Sequence, residues 1–164
     1  MVMKLATKMV TIFRVSRLLT NFSVKRNPKS PKLSKLAFGK WGEEQARREI
    51  EASGHRIIAS GFTAPITTSR RGRRITAEID LIAYDETVSP AQLVFIEVKT
   101  RSHTDLAMPE AAVDQRKQRR LIRAARIYRR LLRIEDEPFR FDVITVVKID
   151  QNRPVITIFK NYFN

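Results

Sequence analysis

The stretch Gln92-Leu-Val-Phe-Ile-Glu-Val-Lys99 constrains the fold more than any other part of the chain. Side chains alternate along an extended strand, so Leu93, Phe95, Glu97 and Lys99 share one face and Val94, Ile96 and Val98 the other. Both faces are mostly apolar, which places the strand in the interior of a sheet. A carboxylate and an ammonium are costly there unless they are paired or bound to a metal. Glu97 and Lys99, two residues apart, project from the same side into one site.

The segment before it repeats the anomaly. In Ala77-Glu78-Ile79-Asp80-Leu81-Ile82-Ala83, alternation puts the apolar Ile79, Leu81 and Ala83 on one face and Asp80 on the other, with Glu78 and Ile82. Residues 75–84 and 92–100 read as strands separated by a turn over 85–90, a plausible hairpin. Once the two strands pair, Asp80 can approach Glu97 at the sheet end.

Other segments complete the order. Trp41, Gln45/Ala46 and Glu49/Ile50 recur at helical spacing, and Ser53-Gly54 is a stop signal, which predicts a helix over 41–52. Residues 55–62 read as a strand, and 63–74 as a polar, Arg-rich loop. A second helix is expected over 110–133, with Leu121, Ala124, Ala125, Tyr128, Leu131 and Leu132 in one apolar stripe. Residues 139–147 and 155–159 read as strands. Helices before and between strands predict an α/β fold, one mixed sheet with helices packed on it.

The chain has 164 residues, enough for one domain, and 43% of them are hydrophobic, enough for a core. The formal net charge is +15, which points to a polyanion as partner. Ten of the 32 basic residues and none of the 17 acidic ones lie in 1–42, leaving 22 against 17 in 43–164. Residues 1–35 therefore read as a basic extension and linker, a flexible arm or the product of a start codon placed too early, and 36–164 as the domain. A membrane-surface anchor is a weaker reading of the extension. No run approaches the ~18 apolar residues of a membrane helix. The absence of cysteine excludes disulfides and thiolate sites and is compatible with a cytoplasmic location, which is the expectation.

Two basic clusters stand out in the domain. Residues 116–133 hold Arg116, Lys117, Arg119, Arg120, Arg123, Arg126, Arg129, Arg130 and Arg133 and no acid, whereas solvated helix faces normally mix signs. Phosphate contact explains a one-sign face better. Arg70, Arg71, Arg73 and Arg74 form a second patch on a loop that could reach a groove. No aromatic motif for stacking RNA bases is visible, so DNA is the favoured partner.

Adjacent carboxylates repel unless a cation joins them. Mg²⁺, or Mn²⁺ in its place, takes hard oxygen ligands. It lowers the pKa of a bound water and so makes a nucleophile for phosphodiester cleavage. Asp80 and Glu97 as ligands, with Lys99 to hold that water or stabilise the developing charge, supply what the reaction requires. The bland alternative is a Glu97–Lys99 salt bridge with Asp80 as a surface group. His103 reads as a surface histidine, and Asp142 with Arg140 as a structural ion pair.

At these residues the chain resembles the restriction-endonuclease-like nucleases, whose signature is an Asp followed by (Asp/Glu)-X-Lys. It is more closely similar to the YraN family of small bacterial proteins, placed in that superfamily. The matching pieces are Gly42-Glu43 opening a helix, Glu78 to Ala83, Leu93 to Arg101, Pro109 to Val113, Lys117 to Leu121 and Arg140 to Val143. The family usually has Gly before the Glu-Ile-Asp run where this chain has Ala77. The resemblance implies an endonuclease-like α/β fold, in the order α-β-β-β-α-β. It implies Glu43 as a helix-borne ligand beside Asp80 and Glu97, Lys99 as the catalytic lysine, and Gln115 as an auxiliary residue. The expected function is a metal-dependent nuclease; the alternative is a nucleic-acid-binding protein that keeps the fold without turnover.

Overall fold

The computed structural model describes residues 34–102, 113–149 and 154–163. The basic extension up to residue 33, His103, the loop expected after residue 102 and the expected first residues of the second helix, 110–112, lie outside them. The elements are α1 (Lys35–Ala52), β1 (His55–Thr68), β2 (Arg74–Asp85), β3 (Gln92–Ser102), α2 (Gln115–Leu132), β4 (Phe139–Lys148) and β5 (Pro154–Phe163). The five strands form one sheet in sequence order. It is mixed: β3 and β4 run parallel, and the other neighbours are antiparallel. The α/β expectation, with helices flanking a mixed sheet, holds.

The strand read as the most constrained is the middle one. Val94, Ile96 and Val98 pack with Ala46 and Ile50 of α1, and Phe95 with Leu121, Ala124 and Tyr128 of α2. Each helix thus covers one face of the sheet. Each fully buried large aliphatic side chain is worth roughly 1.5–3 kcal/mol, so both layers hold β3 where it is.

Four boundaries differ from the sequence reading. The segment 63–74 is mostly strand: β1 continues to Thr68, and only Ser69 to Arg73 turn, with Gly72 at φ 75°. Pro65 conceals this in the sequence, but β1 is an edge strand, where a residue without an N–H is tolerated. α1 begins at Lys35 rather than Trp41, with the Ser34 side chain accepting from the N–H of Ala37. α2 begins at Gln115 rather than 110, because the Asp114 carboxylate caps it by accepting from the N–H of Lys117 at 2.8 Å. Its apolar stripe ends at Tyr128; Leu131 and Leu132 are exposed, since the last turn runs off the sheet. β5 extends to Phe163, stacked on Phe141 at 4.5 Å.

Strict alternation in β2 also fails. Leu81 and Ala83 pack under α1, but Ile79 joins Ile82 in the cluster under α2. The strand changes layers at Asp80, where it also leaves the β3 ladder.

Candidate active site

The β2–β3 ladder is short. It runs from Asp85↔Gln92 to Leu81↔Ile96. Beyond that point β2 stays paired with β1 as far as Arg74, and β3 with β4 as far as Ser102. The two strands therefore part, and Asp80 and Glu97 are the first residues past the last pair. The N–H of Val98 donates to Asp80 Oδ2 at 2.7 Å. A side chain thus fills the gap in the ladder, and that bond fixes the carboxylate.

Glu97 is 3% exposed. Lys99 Nζ donates to its Oε1 at 2.6 Å, and Lys117 Nζ stands 3.1 Å from the same oxygen. Oε2 is buried and has no hydrogen-bond partner among the described residues. Burial pushes the Asp80 carboxyl up to about 7; the Glu97 and Glu43 charges act the same way, against the Val98 N–H and Lys117. Two carboxylates thus stand in a gap between strands, one with an orphaned oxygen and one reluctant to ionise. Among the described residues no three acidic or histidine side chains group closely enough to hold an ion by themselves. Two carboxylates with water and phosphate oxygens completing the shell suit Mg²⁺ or Mn²⁺.

The other expected site residues are placed as follows. Glu43 lies exposed on α1; it acts on Asp80 through its charge and makes no hydrogen bond or ion pair among the described residues. Its position depends on Gly42, whose missing side chain lets α1 close on Thr100: a Cβ there would sit 1.8 Å from Thr100 Oγ1. Gln115 is exposed at the first turn of α2, and no described contact joins its side chain to the carboxylates. Arg70, Arg71, Arg73 and Arg74 are exposed at the β1–β2 turn and pair with no acid among the described residues.

On α2, Arg116, Arg119 and Arg123 are exposed and Arg120 is half-buried. Two members of the basic run leave that face. Lys117 reaches into the site, and Arg129 donates to the carbonyls of Glu135 and Glu137 and stacks over Phe139. The sequence pattern groups Lys117 with the outer arginines. The signal that separates it is its place three residues after the capping Asp114, in the first turn of α2.

A second buried polar cluster draws on β1, β2, β3 and β4 toward the β2–β3 turn. Arg140 donates to Asp85 at 2.8 Å, to Asp142 at 3.0 and 3.1 Å and to Gln92 at 2.9 Å. Asp142 also accepts the N–H of Asn161 at 2.8 Å. Burial alone would raise the Asp85 carboxyl, but hydrogen bonds from Thr87 and Arg140 outweigh it and hold the group well below the usual range. Burial raises Asp142 and lowers His55, which stands 3.4 Å from Asp85. Every charge here has a partner, so the cluster ties strands together. The structural ion pair expected for Asp142 and Arg140 is present.

The model of the uncharacterised protein family UPF0102 matches residues 42–146, which include Glu43, Asp80, Glu97, Lys99 and Lys117. A UPF0102 protein of Koribacter versatilis is 40% identical over 128 residues, covering 78% of this chain and 80% of that one. One of Symbiobacterium thermophilum is 40% identical over 126 residues, 77% of this chain and 95% of its own. One of Bacteroides thetaiotaomicron is 41% identical over 110 residues, 67% and 78%. The chain belongs to the UPF0102 family, the YraN-like family expected from its motifs.

Proposed function

We propose that this UPF0102 protein is a Mg²⁺- or Mn²⁺-dependent nuclease that hydrolyses phosphodiester bonds of nucleic acid, DNA in preference to RNA. The observation that carries the reading is the pair Asp80 and Glu97, held together where β2 and β3 part, with one oxygen of Glu97 buried and unpartnered among the described residues. A bound divalent ion would supply Lewis-acid polarisation of the phosphate and a water acidified enough to attack it. The residues of the chain do the rest. Asp80, fixed by the Val98 N–H, and Glu97, fixed by Lys99, would hold the ion. Glu43, on the opposing helix, adds negative charge to the same site. Lys99, 32% exposed at its side chain, lies at the edge of the pair, where its ammonium can orient the attacking water and stabilise charge on the phosphorus centre. The exposed arginines of α2 and of the β1–β2 turn hold the backbone by its phosphates.

The test is a cleavage assay with branched, single-stranded and duplex DNA in Mg²⁺ and in Mn²⁺. Asp80→Ala and Lys99→Ala proteins are expected to lose activity by about a hundredfold or more, the scale on which removal of one preorganised electrostatic group slows a reaction. Variants that match the wild type on every substrate would overturn the catalytic assignment.

One observation favours a second reading. Glu97 is already compensated by two lysines, so the cluster could serve packing while the basic faces bind nucleic acid without turnover. That reading predicts salt-sensitive binding that is indifferent to divalent ions.

A further inference from the structure

Of the basic residues on α2, Lys117 is the one with an ion pair to the candidate site among the described residues. Its ammonium approaches the Glu97 oxygen that Lys99 already holds at the shorter distance. One carboxylate charge thus faces two ammonium groups. Asp80, the neighbouring carboxylate, has no ion pair among the described residues and accepts only a backbone N–H. The Lys117 charge also acts favourably on Asp80. A single positive group that serves both carboxylates does electrostatically what a bridging divalent ion would do.

The position of Lys117 lets it leave. Its side chain is 32% exposed, and its four-carbon stem is flexible. Its backbone N–H is held separately by the Asp114 cap, so the ammonium can swing out without disturbing the helix start. Lys99 remains as the partner of Glu97 when it does.

We propose that Lys117 is a removable counter-ion, paired with Glu97 beside Asp80 in the metal-free protein and competing with the divalent cation for that carboxylate. The inference rests on the metal-site reading above and adds a built-in competitor to it. A unit charge about 4–5 Å from a divalent ion opposes its binding by more than tenfold even at the dielectric of water.

The experiment is calorimetric titration of the whole chain with Mn²⁺ alone at pH 8, without nucleic acid. Lys117→Met is expected to bind Mn²⁺ at least about tenfold more tightly than the wild type, whereas Lys117→Arg, which keeps the charge, stays near it. Lys117→Gln repeats the measurement with a polar side chain, and a thermal melt of each variant confirms folding. Binding by Lys117→Met where the wild type shows none supports the inference equally. Unchanged or weaker binding by both neutral variants overturns it and leaves the metal site standing. No binding by any of the four proteins overturns the metal site, and this inference with it.

Discussion

Replacing Asp80 by Asn should stabilise the metal-free protein above neutral pH, although the same change removes a proposed ligand. The Asp80 carboxyl moves from an ordinary 3.8 to about 7 on folding, chiefly through burial and then through Glu97. Each tenfold change in proton affinity is worth 1.36 kcal/mol, so ionising Asp80 costs about 4 kcal/mol more in the folded chain than in the unfolded one. Asp80 is partly exposed, and solvent screening leaves about 2–4 kcal/mol to be recovered. The sign follows from proton binding. Between pH 3.8 and about 7 the folded chain keeps a proton that the unfolded chain has lost, so stability falls as pH rises through this window, and the full penalty is present above it. Asparagine carries no charge, and its carbonyl can still accept the Val98 N–H.

Urea denaturation of wild type and Asp80→Asn, followed by circular dichroism at pH 5 and pH 8, reads this directly. With a slope of about 2 kcal/mol per molar urea, the variant's midpoint should lie about 1–2 M higher at pH 8. At pH 5 the gain should be less than half as large. Comparing the two proteins cancels the other pH-dependent groups, His55 among them. Equal midpoints at pH 8, or a lower one for the variant, would refute the argument that the site stores unfavourable charge.

Three further outcomes follow from the packing and the charge. Arg140→Met strands the buried Asp85 and Asp142 without their shared partner and should cost about 3–5 kcal/mol in denaturation, the range for removing one member of a buried ion pair; a cost below about 1 kcal/mol would show that the network is not structural. Gly42→Ala drives a methyl into Thr100 and should cost about 1–3 kcal/mol as α1 shifts off the sheet, which thermal unfolding would detect. Replacing Arg70, Arg71, Arg73 and Arg74 by Ala together should flatten the log–log salt dependence of duplex DNA binding by about 0.9 for each phosphate that these side chains neutralise; an unchanged slope would remove the β1–β2 turn from the interface.

The parts of this molecule that can be read from the sequence are those in which local pattern and burial agree. β3 announces itself because both of its faces are apolar, and Glu97 and Lys99 stand out as the exceptions in it. Asp80 is legible for the same reason. The full length of β1 is not, because Pro65 argues against a strand unless the strand is known to be at an edge, and edge position is set by the whole sheet. The start of α2 is signalled by Asp114 but masked by the helix-compatible residues before it. Lys117 reads as one positive charge among nine, since the contact that distinguishes it joins residues 20 positions apart in sequence. The assembly of His55, Asp85 and Arg140 is invisible in the sequence: Asp85 reads as a turn residue and His55 as a strand start, and only the pairing of strands brings them together. The Ile79 reversal is likewise a tertiary effect, arising where β2 parts from β3.

Calorimetric titration of Mg²⁺ or Mn²⁺ into the wild-type chain, beside Asp80→Asn, asks whether Asp80 and Glu97 bind a metal at all. Binding by the wild type that vanishes in the variant is the predicted result, and it would establish the Asp80–Glu97 pair as a metal site. No binding by the wild type, with DNA absent and with DNA present, and none by Lys117→Met, would overturn the metal site and favour a protein that binds nucleic acid without cutting it.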